Sequence, residues 1–523
     1  MTGTLAFLRM FLRRDRWMLL WWGLGATLLY YSQAVSVDSL YDTQADFDKA
    51  AASMQGNAAL IAMAGPARAL NTVGGQVTWQ ASAFGAVVAG LMSMFIIGRH
   101  TRAEEESGRD ELVRATAVGR FAPMAAALLT AMLANVLLGA LVAVSLISYP
   151  LATADSIALG VGLTLCGWVF TGTAMVAAQL TASSRSMYGI AGAVLGAAYV
   201  LRAVGDVGNP VFRWLSPIGW YQAMHPFSGL RWLPALLIVV AAALMVSTAY
   251  VVFARRDVGS GVFAARPGPA HAGRDLRSGL GLSWRLQRGA VIGWAAGLFL
   301  VGLAYGSMGN DVGALVGDSQ AAREMFLQGG GDLTDAFYAT SMLMLAVLAA
   351  GFSISSAMRP RGEEDRGHAE FLLATALSRR GWLTGQTTVT VVGSAAVLAA
   401  GGIGLGLGYA LVTGDWGALL RLSLPMLQYV APLLVLSGVV RVLFGLAPRL
   451  MVASWSLLVL VLVVMLFGQL FQMPQWAQDL SPFEHLALVP AADFALGPFV
   501  VLGVLALLLS VAGQVAFSRR DVG

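Results

Sequence analysis

Long apolar runs alternate with short polar segments along the whole chain. Twelve of these runs come close to or exceed the roughly 20 residues that an α-helix needs to cross the hydrocarbon core of a membrane. The weak ten-residue alternation of a β-barrel is missing, and helices satisfy their own backbone groups in lipid. The pattern therefore predicts an all-α polytopic membrane protein with twelve transmembrane helices, near residues 17–37, 78–98, 122–149, 156–181, 187–204, 232–254, 287–308, 336–357, 382–412, 417–444, 449–471 and 496–517.

Composition supports the same class of protein. Hydrophobic residues make up 57% of the chain and charged residues only 12%, whereas soluble domains are about 45–50% apolar and about 25% charged. The single cysteine, Cys166, lies inside an apolar run, so we expect a buried packing residue and no disulfide within the chain. Before the first span, "TLAFLRMFLRRDRW" places apolar and arginine side chains at helical spacing. This segment is predicted to form an interfacial amphipathic helix.

The polar segments between the spans differ in charge from one side to the other. If both termini are cytoplasmic, the inner segments are strongly net basic and the outer segments are net acidic. Arginine and lysine concentrate on the cytoplasmic side of membrane proteins. The sequence therefore predicts cytoplasmic N- and C-termini and a location in the bacterial plasma (inner) membrane.

The chain repeats itself. Residues 102–120 match residues 361–379 without a gap at nine identical positions, and "FARRDVG" at 253–259 returns as "FSRRDVG" at 517–523. Each half also has an "LSP" tripeptide before its last span. Such symmetry indicates a parallel duplication. We predict a first six-helix half with the amphipathic helix at residues 1–258, a Gly/Pro/Arg-rich cytoplasmic linker at 259–284, and a second six-helix half at 285–523.

Several kinds of chemistry lack the residues that they need. A P-loop requires a lysine after a glycine-rich turn, but the chain has one lysine, Lys49, in "DFDKAA". The five histidines are scattered and lack metal-ligand spacing; His225 and His485 follow the "LSP" tripeptides, and we expect neither to be a ligand. We therefore predict no enzymatic activity, no cofactor and no metal site in this chain.

The central thirds of the predicted spans contain no ionisable side chain. Proton- or ion-coupled carriers generally keep such groups at membrane depth. Arg202 and Arg441 lie near span ends, where we expect their head groups to reach water. The energy source is therefore predicted to lie in a partner protein.

The repeated acidic segments, "RAEEESGRDELVRAT" at 102–116 and "RGEEDRGHAEFLLAT" at 361–375, are candidates for binding that partner. We expect each to include a short helix across the cytoplasmic face, interrupted at Gly108 and Gly367, because glycine costs about 1 kcal/mol relative to alanine in a helix. A solvated loop with local Glu–Arg pairs would have the same composition. The positioned second copy favours docking, because unconstrained loops drift after duplication.

These two segments resemble the E-x-x-G-x-x-E-x-L-x-A-T segment of ABC-2-type export permeases. The duplicated length is similar to that of actinobacterial polyketide-antibiotic and multidrug exporters of the tetronasin-resistance type. The resemblance implies a permease subunit that exports hydrophobic compounds by alternating access, with ATP and Mg²⁺ held by two copies of a separate ABC ATPase subunit. It also implies that the two segments are coupling helices that dock on the ATPases through Glu104, Glu105, Glu106, Gly108, Glu111, Glu363, Glu364, Asp365, Gly367 and Glu370.

The same resemblance implies a substrate cavity lined by the second and fifth spans of each half. Methionine and aromatic side chains suit a promiscuous apolar pocket, although they are equally ordinary helix-packing residues. The candidates are Trp79, Phe84, Met92, Met94, Phe95, Tyr188, Tyr199, Tyr338, Met342, Met344, Phe352 and Trp455.

Two other functions remain open from the sequence. A proton-coupled drug antiporter of the major-facilitator type also has two six-span halves, and "GRHTRAEEESGRDE" at 98–111 resembles the charged loop of that class. The acidic triplet, the long outer segment after the first span of each half and the missing intramembrane carboxylate argue against it. A membrane scaffold without transport activity would also fit paired docking segments.

Overall fold

The structure is a computed structural model in which residues 2–41, 43–54, 58–109, 115–257, 259–263, 270–308, 333–467 and 473–521 are described. In these ranges the regular elements are α-helices and short 3₁₀ turns, without a β-strand. The chain is an all-α, multi-pass membrane protein. It divides into two compact units, Met1–Gly268 and Pro269–Gly523.

Among its described residues, the first unit contains six long helices joined by shorter ones. The long helices are α1 (Thr4–Leu40), α2 (Val73–His100), α3 (Ala122–Ser148), α4 (Thr153–Leu180), α5 (Ser184–Val207) and α6 (Leu233–Arg255). Short helices span Gln44–Met54, Ala58–Ala64, Arg102–Glu106 and Pro217–Gln222, and a 3₁₀ turn spans Arg213–Leu215.

The predicted amphipathic helix and the predicted first span form one continuous helix, α1. Eleven other helices among the described residues are long and apolar enough to cross a membrane. α1 falls short of that hydropathy because its apolar part is rich in tryptophan and tyrosine, beginning with "WMLLWW" at 17–22. The number of spans therefore stays a prediction, with eleven candidates by composition.

Helix α4 lies at the centre of the first unit, packed between α2, α3 and α6. α3 and α4 approach closely, because a Cβ on Gly139 would lie 2.3 Å from the Gly160 carbonyl oxygen. Cys166 is fully buried on α4, in agreement with its predicted packing role. Asn135 donates a 2.8 Å hydrogen bond to Ser93 on α2, so a buried polar contact adds to the apolar packing.

The described part of the second unit, residues 270–308, 333–467 and 473–521, also contains six long helices. They are α7 (Gly279–Gly306), α8 (Leu333–Asp365), α9 (Arg379–Thr413), α10 (Val430–Leu446), α11 (Trp455–Phe467) and α12 (Leu496–Arg519). Short helices span His368–Leu373, Ala418–Ser423 and Gln475–Gln478, and 3₁₀ turns span Arg274–Arg277, Pro425–Tyr429 and Pro448–Ser454.

The predicted fourth and fifth spans of this half are less regular than the hydropathy suggests. The stretch 417–444 is divided into Ala418–Ser423, a 3₁₀ turn and α10. A second 3₁₀ turn, Pro448–Ser454, precedes α11. Both turns begin with a proline, which lacks the amide hydrogen that a continuing α-helix needs.

Glycines allow α7 and α9 to pack backbone against backbone. A Cβ on Gly302 would lie 2.2 Å from the Gly401 carbonyl oxygen, and one on Gly306 would lie 2.0 Å from that of Leu405. From the other side, a Cβ on Gly404 would lie 2.1 Å from the Phe299 carbonyl oxygen. Close approach through small residues is a common way to hold membrane helices together. We call these four residues, Gly302, Gly306, Gly401 and Gly404, the glycine seam.

The arginines expected to reach water are buried. Arg202 has no exposed surface; it donates to the Met63 carbonyl oxygen at 2.9 Å and pairs with Asp206 at 3.6 Å. Arg441 on α10 donates to Ser510 on α12 at 2.7 Å. The prediction for these two residues was wrong because hydropathy places a residue along a helix axis and does not say which face it occupies.

Candidate functional site

Each acidic segment turns at its glycine. Gly108 and Gly367 both have φ of +72°, a conformation that favours glycine. The amide of Gly108 donates to the Glu105 carbonyl oxygen at 3.1 Å, and the amide of Gly367 donates to that of Glu364 at 2.9 Å. The predicted interruption of the helix at these two positions is confirmed.

The glutamate pairs lie before this turn. Glu363, Glu364 and Asp365 end the long helix α8. In the first unit, the helix Arg102–Glu106 follows α2 after a break at Thr101. In the second unit, the short helix His368–Leu373 follows the glycine and carries Glu370. Residues 110–114, including Glu111, lie outside the described residues.

The second glutamate of each pair is occupied within the chain. The carboxylate of Glu105 pairs with Arg102 at 2.8 Å and with Arg256 at 2.6 Å, and its side chain is only 8% exposed. The carboxylate of Glu364 pairs with Arg361 at 3.3 Å and with Arg520 at 2.6 Å, and its side chain is 6% exposed.

These contacts join the two repeated motifs. Arg256 and Arg520 occupy the same position of the "RRDVG" motif, just after the last long helix of each unit. Arg120 donates to the Arg256 carbonyl oxygen at 3.1 Å, and Arg379 donates to that of Arg520 at 2.6 Å. We call each set, Glu105–Arg102–Arg256–Arg120 and Glu364–Arg361–Arg520–Arg379, a Glu–Arg clamp. The sequence shows both repeats, but not that they meet.

The acidic side chains next to the clamp glutamates also have partners within the chain, and all of them except the buried Glu363 are more exposed than the clamp glutamates. Glu104 pairs with Arg14 of α1 at 2.5 Å, and the exposed Glu106 accepts from the Ser184 amide at 3.1 Å. In the second unit, Glu363 pairs with Arg359 and with His368, at 3.2 and 3.0 Å, and Asp365 pairs with Arg361 at 2.7 Å.

The short helix after Gly367 presents an apolar side chain to solvent. Phe371 is 79% exposed, and Glu370 beside it is also exposed. The position of Phe371 in the repeat corresponds to Leu112 of the first segment, which lies outside the described residues.

A buried ion pair ties α1 to α2 beside the first clamp. Asp15 is fully buried, with its carboxylate 2.5 Å from His100 Nε2 and 2.8 Å from Arg99 Nη1. The His100 ring also stacks on Phe11 at 3.9 Å. The sequence analysis missed this contact, and the signal for it was a single aspartate among the arginines of "LRRDRW".

The candidate cavity residues divide into three groups by exposure. Trp79, Met92, Met94, Tyr338, Met342 and Phe352 are buried, and Tyr188, Tyr199 and Met344 are half-buried. Phe84, Phe95 and Trp455 are exposed at the surface of their own units. Their assignment to a substrate cavity stays a prediction. Trp79 and Tyr199 also have a local role, because they donate to the Gly65 and Met63 carbonyl oxygens, both at 2.7 Å.

A cluster of arginines surrounds His225 at the other end of α2. Arg68 Nη1 lies 2.7 Å from His225 Nδ1, so the neutral imidazole accepts from the guanidinium. Burial, together with the positive charges of Arg68, Arg231 and Arg213, lowers the pKa of His225 to about 4. Sequence reasoning singled out His225 as a residue without a ligand role and did not find the arginines around it.

This pKa predicts acid sensitivity of the first unit. The unfolded chain takes up a proton at His225 below about pH 6.5, whereas the folded chain resists protonation down to about pH 4. The free energy of unfolding should therefore fall as the pH is lowered from 6.5 to 4. Thermal unfolding of the purified protein across this range measures it. His225→Gln should flatten the dependence and His485→Gln should not; an unchanged slope in His225→Gln would contradict the assignment.

The family described as "Multidrug efflux system permease Rv1217c, C-terminal domain" matches residues 6–254 and 276–518. The chain belongs to the Rv1217c multidrug efflux permease family. It is similar to the multidrug efflux system permease protein Rv1217c of Mycobacterium tuberculosis, with 39% identity over 525 residues that cover all of this chain and 95% of the relative. The matched residues comprise nearly all of both units.

Proposed function

We propose that this protein is the membrane subunit of an ATP-driven exporter of hydrophobic compounds, such as drugs, antibiotics or lipid-like molecules, in the bacterial plasma membrane. Two copies of a separate ABC ATPase subunit dock on the two acidic segments, and they hold the ATP and Mg²⁺. Their closure switches the permease between inward-open and outward-open states. The relationship to a multidrug efflux system permease supports the export of drugs.

The observation that carries this proposal is the repeated Glu–Arg clamp. Each clamp fixes the segment after the second long helix of its unit to the chain just beyond the last long helix. A partner that pushes on the segment therefore acts on two elements of that unit at once. Two equivalent clamps suit two equivalent motors, because the partner then meets the same geometry twice.

The contact with the ATPase is proposed to centre on Phe371 and Glu370 and on their counterparts, Leu112 and Glu111. The carboxylates of Glu105 and Glu364 hold the segments in place, whereas Glu370 and Phe371, after the glycine turn of the second segment, are exposed. An exposed aromatic side chain that enters a pocket of the partner is the usual form of an interface hot spot.

Phe371→Asp tests the docking surface. Because the side chain is 79% exposed, the substitution should leave the melting temperature of the permease nearly unchanged. Co-purification of the ATPase subunit should fall by about tenfold or more, which corresponds to about 1.4 kcal/mol. The matched control is Trp416→Asp, an exposed aromatic residue just beyond the opposite end of α9. Retention of the ATPase by Phe371→Asp, together with full ATP-dependent export, would refute the docking role.

The two alternatives predict different responses to energy supply. If the proton gradient is collapsed while ATP is maintained, an ATP-driven exporter continues to export and a proton-coupled antiporter stops. A scaffold exports under neither condition. Export by membrane vesicles of cells that overproduce the permease with its ATPase separates the three functions.

A further inference from the structure

A small cavity lies in the first unit, at the end of α2 that is distant from Glu105. It has a volume of about 40 Å³, which is room for a few water-sized groups such as the oxygens of a carboxylate. α2, the segment before it and the chain around Pro217–Gln222 form its wall, with Ala64, Pro66, Arg68, Gly75, Thr78, Trp79, Ser82, Arg213, Gln222, Ala223, His225, Pro226 and Ser228.

Positive charge exceeds negative charge at this cavity. Arg68 and Arg213 line it, and the pKa of Arg68 is lowered by burial and by the charges of Arg213 and Arg231. Asp206 pairs with Arg213 at 3.6 Å, but it also pairs with the buried Arg202 at 3.6 Å. One carboxylate is thus shared between two guanidinium groups, and Arg68 is left with the neutral ring of His225 as its partner.

Polar atoms of the cavity wall are buried without a hydrogen-bond partner. They are Thr78 Oγ1, Gln222 Oε1 and Arg213 Nε. The amide nitrogen of Gln222 donates to the Ala64 carbonyl oxygen at 2.7 Å and to Ser82 at 3.0 Å, so this side chain is fixed in place. Buried polar groups are nearly always paired in folded proteins. An anionic group that enters the cavity would accept from two open donors, the Thr78 hydroxyl and Arg213 Nε, whereas Gln222 Oε1 is an acceptor and would need a donor.

The backbone around the cavity is held in an unfavourable conformation. Ala69, His225 and Phe227 have φ of +47°, +53° and +59°, and each such residue costs on the order of 1 kcal/mol or more. The segments interlock, because a Cβ on Gly75 would lie 1.9 Å from the Ala69 carbonyl oxygen and one on Gly74 would lie 2.3 Å from the Phe227 ring. Strain of this kind collects at binding sites, where rigid placement of polar groups matters.

An open apolar groove adjoins the same segments. Its volume is about 680 Å³, which is in the range of sites for drug-sized ligands. Phe227 and Gly74 belong to the groove and their neighbours Pro226 and Gly75 to the cavity. The carboxylate of Asp155 in the groove is engaged by the Phe227 amide at 2.8 Å. The groove is lined by Thr72, Val73, Gly74, Pro150, Leu151, Ala152, Ala154, Asp155, Phe227, Gly229 and Leu230.

We propose that the cavity and the groove together bind an amphiphilic organic anion, a carboxylate or phosphate on an apolar body. Arg68, Arg213 and Thr78 hold the anionic group, and the groove takes the apolar part. The site is confined to one half: when the "LSP" tripeptides are aligned, Arg213 corresponds to Gln478 and His225 to Pro490. It does not depend on the ATPase, so binding is measurable in the permease alone and is separate from the test of coupling.

The test uses the full chain in phosphatidylcholine nanodiscs and the fluorescent probe dansylaminoundecanoic acid, with its methyl ester as the uncharged match. The acid should bind saturably, and the ester about tenfold more weakly or worse. Arg68→Gln and Arg213→Gln should each weaken binding of the acid by about tenfold. Arg288→Gln removes the same charge from an exposed position of the second unit and should leave binding unchanged.

The variant Thr78→Val tests whether loss of folding, and not loss of the site, explains weaker binding of the acid. It removes a buried hydroxyl that has no partner, so the melting temperature should hold or rise. Binding of the acid should nevertheless weaken by several fold. Equal binding of acid and ester, or full affinity in both arginine variants, would overturn the proposal.

A second lipid, added to the nanodisc, shows whether the bound anion is a phospholipid head group or a free amphiphile. If phosphatidylglycerol in the nanodisc competes with the acid in the wild type and not in Arg213→Gln, a phospholipid head group occupies the site. If it does not compete, the site selects free amphiphiles, which are candidates for the exported compounds. Both outcomes are compatible with an anion site. Whether the site exists is still decided by the comparison of acid and ester.

Discussion

Replacing Glu105 or Glu364 with glutamine is expected to destabilise its own unit strongly. In the first clamp the substitution leaves Arg102 and Arg256 close together, both buried, without the negative charge between them. Removing one partner of a buried ion pair costs about 3–5 kcal/mol, because the remaining charge is left uncompensated. For a unit of this size we expect the melting temperature to fall by about 5–10 °C, as measured by thermal unfolding in detergent.

The control is Glu370→Gln, which removes one carboxylate at an exposed position of the second acidic segment. It should leave the melting temperature within about 1 °C, because surface substitutions have small effects. Equal melting temperatures of Glu105→Gln, Glu370→Gln and the wild type would show that the clamp adds no stability. The comparison also bears on the docking test, since charge reversal at Glu105 or Glu364 would unfold the segment before it reported on the ATPase.

A larger side chain in the glycine seam is expected to destabilise the second unit. In Gly404→Val the new Cβ would lie 2.1 Å from the Phe299 carbonyl oxygen, and α7 and α9 could not approach as they do. Overpacking costs about 1–3 kcal/mol where the surroundings yield, and a backbone atom yields less than a side chain. We expect little monodisperse protein in size-exclusion chromatography and a melting temperature lowered by several degrees.

Gly297 provides the control on α7 itself. A Cβ at Gly297 would meet no atom within 4 Å, and alanine is the better helix former by about 1 kcal/mol. Gly297→Ala should therefore fold as well as the wild type or better. A Gly404→Val protein that is as abundant and as stable as Gly297→Ala would exclude the seam as the reason for the close packing.

Hydropathy and the internal repeat predicted the helical fold and the two glycine turns. Both follow from properties that are local in sequence: the length of an apolar run and the freedom of a glycine with positive φ. The Glu–Arg clamps were not predicted, because Glu105 and Arg256 are far apart in sequence and charge alone does not select a partner. The motifs did carry a usable signal, since two segments that repeat together are candidates for contact.

The face of a helix on which a side chain lies could not be predicted from the sequence. The apolar runs give no amphipathic stripe to orient a helix, so the candidate cavity residues were chosen by type. Phe84 and Phe95 are exposed, whereas Met92 on the same helix is buried. Arg202 was misjudged for the same reason. The arginine cluster around His225 depends on a fold that joins residues near 68, 213 and 225, which no local pattern records.

Each Glu–Arg clamp lies at the end of a long helix, α2 in the first unit and α8 in the second. Both helices are weakened at the same position of the repeat. Seven residues before the turn glycine, α8 contains Pro360, which removes one hydrogen bond of the helix ladder. At the equivalent position the first unit has Thr101, with φ of −123° and ψ of −87° outside the helical region. A force applied to the segment beyond the clamp would bend each helix at this position before it displaced the apolar part of the helix. The two halves thus share the position of this weakness in the helix, although different residues produce it.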